Sequence, residues 1–192
     1  MMDWSAVFSK QVLMLGVTLG AIPYTAFTVA MIVGRLLIGK MTKRYHISEL
    51  SMWGGIFGSI AMLLGVLLAP PLVAENKILG LLVISLFWAI SGFGLAPMVP
   101  SFFSAAGNVP GLTTAQALSR MSLVNALIVI VAKIAMGGMA EGVGLEIAFL
   151  FPIAMMFIAG ILAGQVAKHA KRKEAMDNAF PLTGPLTVID EL

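Results

Sequence analysis

LSMWGGIFGSIAMLLGVLLAPPLVA, residues Leu50–Ala74, stands between Glu49 and Glu75 without a charged side chain. Those 25 residues, wound as a helix at about 1.5 Å each, reach across the roughly 30 Å hydrocarbon core of a bilayer. A helix satisfies its backbone N–H and C=O groups internally, which an open strand in lipid cannot do. The stretch reads as one membrane crossing, and the distance between successive charges becomes a ruler for the rest of the chain.

Working outward, Glu146 and Lys168 bracket 21 uncharged residues, and Lys10 and Arg35 bracket 24. Gly16, Gly20 and Pro23 blur the start of the latter helix. Lys77 and Arg120 enclose 42, too many for one crossing. That stretch breaks over Ala105–Thr114, where Gly107, Asn108, Pro110 and Gly111 make a turn-rich loop. A last span runs from Arg120 toward Glu141 and contains Lys133. The ruler predicts five full spans, at about residues 17–39, 50–73, 78–103, 118–140 and 147–167. Met1–Phe8 hold too short an apolar stretch to cross and no cleavable leader pattern, so they read as the stub of a sixth helix. The expected fold is an all-α polytopic transmembrane helix bundle over residues 1–168. A cytoplasmic tail, 169–192, follows as a basic helix end and then disorder around Pro181, Gly184 and Pro185.

Composition agrees. Of 192 residues 59% are apolar and 11% charged, against about 25% charged in soluble domains. A soluble enzyme is excluded, and the surplus of three positive charges is too small for a nucleic-acid-binding domain. With no cysteine, and His46 and His169 alone, neither a disulfide framework nor a Cys/His metal site can be assembled. No acidic residue lies within a span and no Ser-His pair is available, so no catalytic residues and no cofactor are expected.

Cytoplasmic loops carry the excess of Lys and Arg. If the loop between the first two spans is inside, nine of the twelve (Arg35, Lys40, Lys43, Arg44, Arg120, Lys168, Lys171, Arg172 and Lys173) collect there, against Lys10 and Lys77 outside. The N-terminus is then external and the C-terminus cytoplasmic, in a multi-pass protein of the plasma (inner) membrane.

Gly34-Arg35-Leu36-Leu37-Ile38-Gly39-Lys40 matches seven positions of a phosphate-binding loop. Met41, however, replaces the Ser or Thr that holds Mg²⁺, and the motif closes a membrane helix rather than opening one after a strand. A short basic hairpin between two spans, Gly39–His46, is the better reading.

Polar residues inside spans are expensive and turn toward a cavity or another helix. Thr18, Thr25, Thr28 and Arg35 share one helical face, with Tyr24 beside them; Ser85, Trp88 and Ser91 form a second stripe, and Ser122, Asn125 and Lys133 a third. Together they suit a polar passage with Trp88 as a stacking platform for a sugar-like ring, or else hydroxyl-mediated helix packing. Lys133 lies about 12 Å of helix from Glu141, within reach of snorkelling to the surface. Gly92, Gly94, Pro97 and Pro100 crowd one span and predict a kinked or unwound helix. Gly16/Gly20, Gly54/Gly58, Gly138/Gly142 and Gly160/Gly164 have the spacing of closely packed membrane helices.

The basic hairpin resembles the signature loop of the major facilitator superfamily: Gly39 and Arg44 match, while Lys43 stands where the family has Asp and His46 where it has a second Gly. Asp3-Trp4-Ser5-Ala6, Tyr24-Thr25-Ala26-Phe27-Thr28 running to Gly34-Arg35, and Gly92-Phe93-Gly94 with Pro97, Pro100 and Ser104-Ala105-Ala106 resemble a bacterial branch of that superfamily related to fucose permease. The resemblance covers Met1 to Lys168 as a C-terminal half, the end of helix seven and then helices eight to twelve. It implies a gating role for Gly39, Lys43 and Arg44. It also implies secondary transport of a small polar, sugar-like or drug-like solute by alternating access, with a separate N-terminal half or a second copy as partner and membrane lipid around it. A stand-alone scaffold or accessory protein, or a truncated product without transport, is the competing reading.

Overall fold

Caps and breakers place the helix ends. A computed structural model, describing residues 2–107 and 111–179, contains α1 (Met2–Gln11), α2 (Val17–Gly20), α3 (Ile22–Met41), α4 (Ile47–Glu75), α5 (Lys77–Leu95), α6 (Met98–Gly107), α7 (Thr114–Val143), α8 (Leu145–Ala148) and α9 (Leu150–Ala179). Asn76 divides α4 from α5, its Oδ1 accepting the N–H groups of Ile78 and Leu79 at 3.0 and 3.3 Å. At the head of α7 the Gln116 N–H donates to Thr113 Oγ1 and the Thr113 N–H to Gln116 Oε1, a reciprocal capping box. Gly144, at φ +87°, turns the chain from α7 into α8 in a conformation that a side chain would strain.

Among the described residues, five stretches are long and apolar enough to cross a membrane: Thr18–Met41, Ile47–Glu75, Lys77–Gly107, Thr114–Val143 and Leu145–Val166. Their ends lie within four residues of those read from the charges, so the chain is an all-α, multi-pass bundle. The N-terminal stub is helical and packed: Phe8 and Ser9 of α1 are both fully buried.

Helix α9 runs past Lys168 to Ala179, over the stretch expected as a basic helix end. The extension is rich in good helix formers (Ala, Lys, Arg, Glu, Met). Pro181, Gly184 and Pro185 lie outside the described residues, as do Asn108 and Pro110 of the expected loop. One feature differs from expectation: the break in the third span is confined to one point. Helix α5 ends at Leu95 and α6 resumes at Met98, with the Ala96 N–H donating to the Phe93 carbonyl at 3.2 Å in a tightened turn. Pro97, lacking an N–H, is the breaker, and Pro100 is tolerated in the first turn of α6.

Gly92 and Gly94 serve helix contact instead. Helix α4 sits at the centre of the bundle, packed on α5 and α9, and α5 packs in turn on α3. At each crossing a glycine lets two backbones meet. A Cβ on Gly54 would collide with the Gly94 carbonyl and one on Gly92 with the Phe27 carbonyl, while one on Gly55 would stand 2.6 Å from the Gly160 Cα. Gly54 and Gly55 are adjacent, so they face about 100° apart around α4 and serve two different partners. Gly54/Gly58 and Gly160/Gly164 thus lie in contacts, whereas Gly16, Gly138 and Gly142 meet nothing within 4 Å. The reason lies in α7, which carries Gly138 and Gly142: of its 30 residues only Ala117 and Met136 are buried.

The break is tied to α4 by Ser51, whose buried Oγ lies 2.8 Å from the Ile47 carbonyl and 3.1 Å from that of Pro97. Interhelical hydrogen bonds in membranes average about 0.6 kcal/mol and reach about 1.7. Ser51→Ala should therefore lower stability in detergent by about 1 kcal/mol, read as a shifted midpoint of denaturation, whereas Ser85→Ala, whose hydroxyl serves only its own helix, should shift it much less.

Candidate functional site

The polar side chains of the spans are spent in three ways. Thr25 and Thr28 donate to the carbonyls of Ala21 and Tyr24 at 2.9 and 3.0 Å, one turn back on α3, and Ser85 does the same to Leu81 at 2.6 Å. Such back-bonding satisfies a hydroxyl in lipid without a partner helix. Tyr24 is half-buried and Arg35 exposed on the same helix. Ser91 is buried, its Oγ 3.8 Å from the Met62 sulfur on α4.

Trp88 goes to the core. It is 1% exposed, with its ring 6.4 Å from that of Phe8 and 6.2 Å from that of Phe149 between centroids. Phe8 and Phe149 meet at 4.8 Å, so the stub helix, α5 and the α8/α9 junction close on one aromatic cluster. The stacking surface expected of Trp88 is covered here by the protein's own rings. An indole removes some 150–250 Å² of largely apolar surface when buried, enough to draw it inward from a helix with only two serines on the same stripe. Its Nε1 has no hydrogen-bond partner among the described residues and faces Gly65 of α4, where a Cβ would stand 3.3 Å away.

The third stripe lies apart from the other two. Asn125 and Lys133 are exposed on α7. Around Lys133, residues Val129, Ala132 and Met136 follow the i, i+3, i+4, i+7 pattern of one helix face, and that face is one wall of a cleft of about 170 Å³. Trp4 of α1 also lines it, with Phe149 at the α8/α9 junction and Phe151 and Pro152 in the first turn of α9. The Trp4 ring rests on α7 one turn beyond Lys133, its Cη2 and Cζ2 both 3.8 Å from where a Gly137 Cβ would be. A groove of about 260 Å³ between α3, α4 and α5 offers only apolar side chains and glycines, among them Trp53, Phe57 and Gly58. The α7 cleft combines concavity, aromatic walls and a cation within a span, the composition of a small-molecule site. Sequence reasoning singled out Lys133 but missed Trp4, Phe149 and Phe151, since residues so distant in the chain carry no shared periodicity.

The hairpin between α3 and α4 is tight. Thr42 caps α3, its N–H and Oγ1 both on the Ile38 carbonyl, and Arg44 and Tyr45 donate N–H groups to Met41. Gly39, Lys43 and Arg44 are exposed. His46 caps α4: its Nδ1 accepts from the Ser48 N–H at 3.4 Å, and its carbonyl accepts from Glu49 and Leu50. A glycine at this position would leave out the imidazole acceptor, which gives the departure from the signature loop that the hairpin resembles a structural use.

Over 149 residues the chain is 24% identical to an uncharacterised MFS-type transporter of Yersinia pestis, a match that covers 78% of this chain and 36% of that protein. The chain thus spans little more than a third of the curated relative it matches. No family model matches, and no solved structure does. The similarity supports a relation to MFS-type transporters and, with five apolar helices, a transporter in general terms.

Proposed function

We propose that this chain supplies the C-terminal half of an MFS-type secondary transporter of the branch related to fucose permease, comprising the end of helix seven and helices eight to twelve, and that it moves a small polar solute by alternating access. In such transporters each half is built from inverted three-helix repeats, and the solute sits between two bundles that rock about it. The observation that carries this reading is α7, a membrane-length helix left almost wholly exposed with Asn125 and Lys133 on its surface. Polar groups facing lipid are costly, so a second bundle, either an N-terminal half or another copy, is needed to cover them. The distribution of Lys and Arg supports an external N-terminus, with the basic hairpin and C-terminus in the cytoplasm, for an inner-membrane protein. Gly39, Lys43 and Arg44 then lie on the cytoplasmic side, where opening is gated, and the break at Pro97 lies in a helix next to the solute route.

The test is reconstitution of the chain alone and together with a polypeptide carrying six further spans of the same family branch. The pair should co-purify and take up solute, and the chain alone should not. Lys133→Leu should reduce uptake at least tenfold while changing membrane yield less than twofold. A monodisperse monomer that transports by itself refutes the half-transporter reading; a chain that neither pairs nor contributes to uptake favours a scaffold or a truncated product.

A further inference from the structure

The apolar groove between α3, α4 and α5 reaches the basic hairpin: its lining includes Met41, the last residue of α3, and Leu50, in the first turn of α4. We propose that groove and hairpin together bind one anionic glycerophospholipid of the surrounding bilayer, its phosphate at Lys40, Lys43 and Arg44 and one acyl chain in the groove. The assignment needs only that the chain spans a membrane and does not use the transport reading. Shape carries its first half. Gly54 and Gly94 meet backbone to backbone where α4 crosses α5, and the groove they line has a stretch of wall without side chains. Trp53 and Phe57 line it as a stacked pair, with ring centroids 5.6 Å apart and planes 21° from parallel, and both are more than half exposed. From Leu50 to Gly58 the groove follows α4 for about 12 Å, most of the roughly 15 Å of hydrocarbon in one leaflet. Its volume of about 260 Å³ exceeds the roughly 150 Å³ that holds a benzene ring, which leaves room for a length of tail.

Charge carries the second half. Lipid tails are as apolar as the groove, so a tail gains only packing contacts by entering it, and the headgroup must do the selecting. The first two membrane-length stretches end and begin at Met41 and Ile47, which puts the hairpin between them at the level of the headgroups. Lys40, Lys43 and Arg44 are exposed there, each within three residues of Met41 in the chain. Glu49 is the one carboxylate between Asp3 and Glu75 and has an interaction of its own. Three cations against one carboxylate leave residues 40–49 with a net charge of +2. Each Lys or Arg at an anionic membrane surface is worth about fivefold in affinity, and a phosphate offers acceptors to several such donors at once. A zwitterionic lipid could fill the groove equally well but would forfeit most of that attraction.

The chain in phosphatidylcholine nanodiscs, doped with phosphatidylglycerol or phosphatidylcholine brominated on one acyl chain, tests the assignment, because bromine quenches only the indoles it approaches. Brominated phosphatidylglycerol should reach half-maximal quenching at a mole fraction at least about fivefold lower than brominated phosphatidylcholine. Trp53→Phe should remove most of that quenching. Changing Lys40, Lys43 and Arg44 together to Gln should bring the two lipids to the same mole fraction, whereas Lys40→Arg with Lys43→Arg should keep the preference. Equal mole fractions for the two lipids in the unaltered chain, a comparison that requires no variant to fold, overturn the proposal. So does a preference that survives the triple Gln variant, or quenching that persists undiminished in Trp53→Phe. Loss of quenching by both lipids once the chain is paired with a six-span partner would assign the groove to a second bundle and overturn it as well.

Discussion

Gly54→Val should take the bundle apart at its central crossing. The new Cβ would meet the carbonyl oxygen of Gly94, a backbone atom that cannot rotate away, so α4 and α5 must separate and the contact of α4 with α9 through Gly55 and Gly160 is disturbed with it. Overpacking a well-filled interior typically costs about 1–3 kcal/mol. With two backbones in contact we expect the upper end or beyond, about 3 kcal/mol or more. Denaturant midpoints in mild detergent, or the yield of monodisperse protein on size exclusion, would measure it. Gly138→Val is the control. It has the same chemistry in another membrane-length helix but nothing within 4 Å, and its shift should stay within about 0.5 kcal/mol. Equal losses in the two variants would mean that α4 and α5 do not cross as described.

Trp88→Ala should be the most damaging truncation in the core, at about 3–5 kcal/mol, the range for emptying a buried aromatic site. The hole would open beside Phe8 and Phe149, whose rings lie 6.4 and 6.2 Å from the indole between centroids, and would loosen the stub helix from α5. Trp88→Phe should cost less than half as much. It keeps a ring in the cluster and deletes an N–H that has no partner among the described residues, and an orphaned buried donor is itself a cost of about 1–3 kcal/mol. A solute-facing tryptophan would behave otherwise: truncation to Ala would spare stability and remove uptake. Thermal denaturation and uptake, measured on the same two variants, separate these outcomes.

The hydroxyl stripes show how far periodicity carries. It placed Thr25, Thr28, Ser85, Trp88 and Ser91 on two helix faces, but whether a face meets a passage or a neighbour depends on which helices adjoin it. Two of the hydroxyl-bearing threonines bond to their own helix, and Trp88 and Ser91 are enclosed. Lys133 stood out because a charge within an apolar run is costly wherever the helix packs, and that statement needs no tertiary information. Likewise His46 departs visibly in sequence from the signature loop that the hairpin resembles, yet its capping of Ser48 depends on a backbone geometry that the sequence does not display.

The sequence by itself determined the class of the protein, the number of crossings and their limits, because the cost of placing charge and unsatisfied backbone in hydrocarbon acts locally, residue by residue. It also marked Pro97 as a breaker, since the missing N–H is a property of the residue alone. Only the tertiary structure decided which glycines carry crossings, that the stub helix belongs to the core through Phe8, that Trp88 packs against Phe8 and Phe149, and that Trp4, Lys133 and Phe151 share one cleft. Those outcomes depend on the approach of segments far apart in the chain, and packing between apolar helices in lipid is set by shape rather than by any hydrophobic pattern that sequence can show.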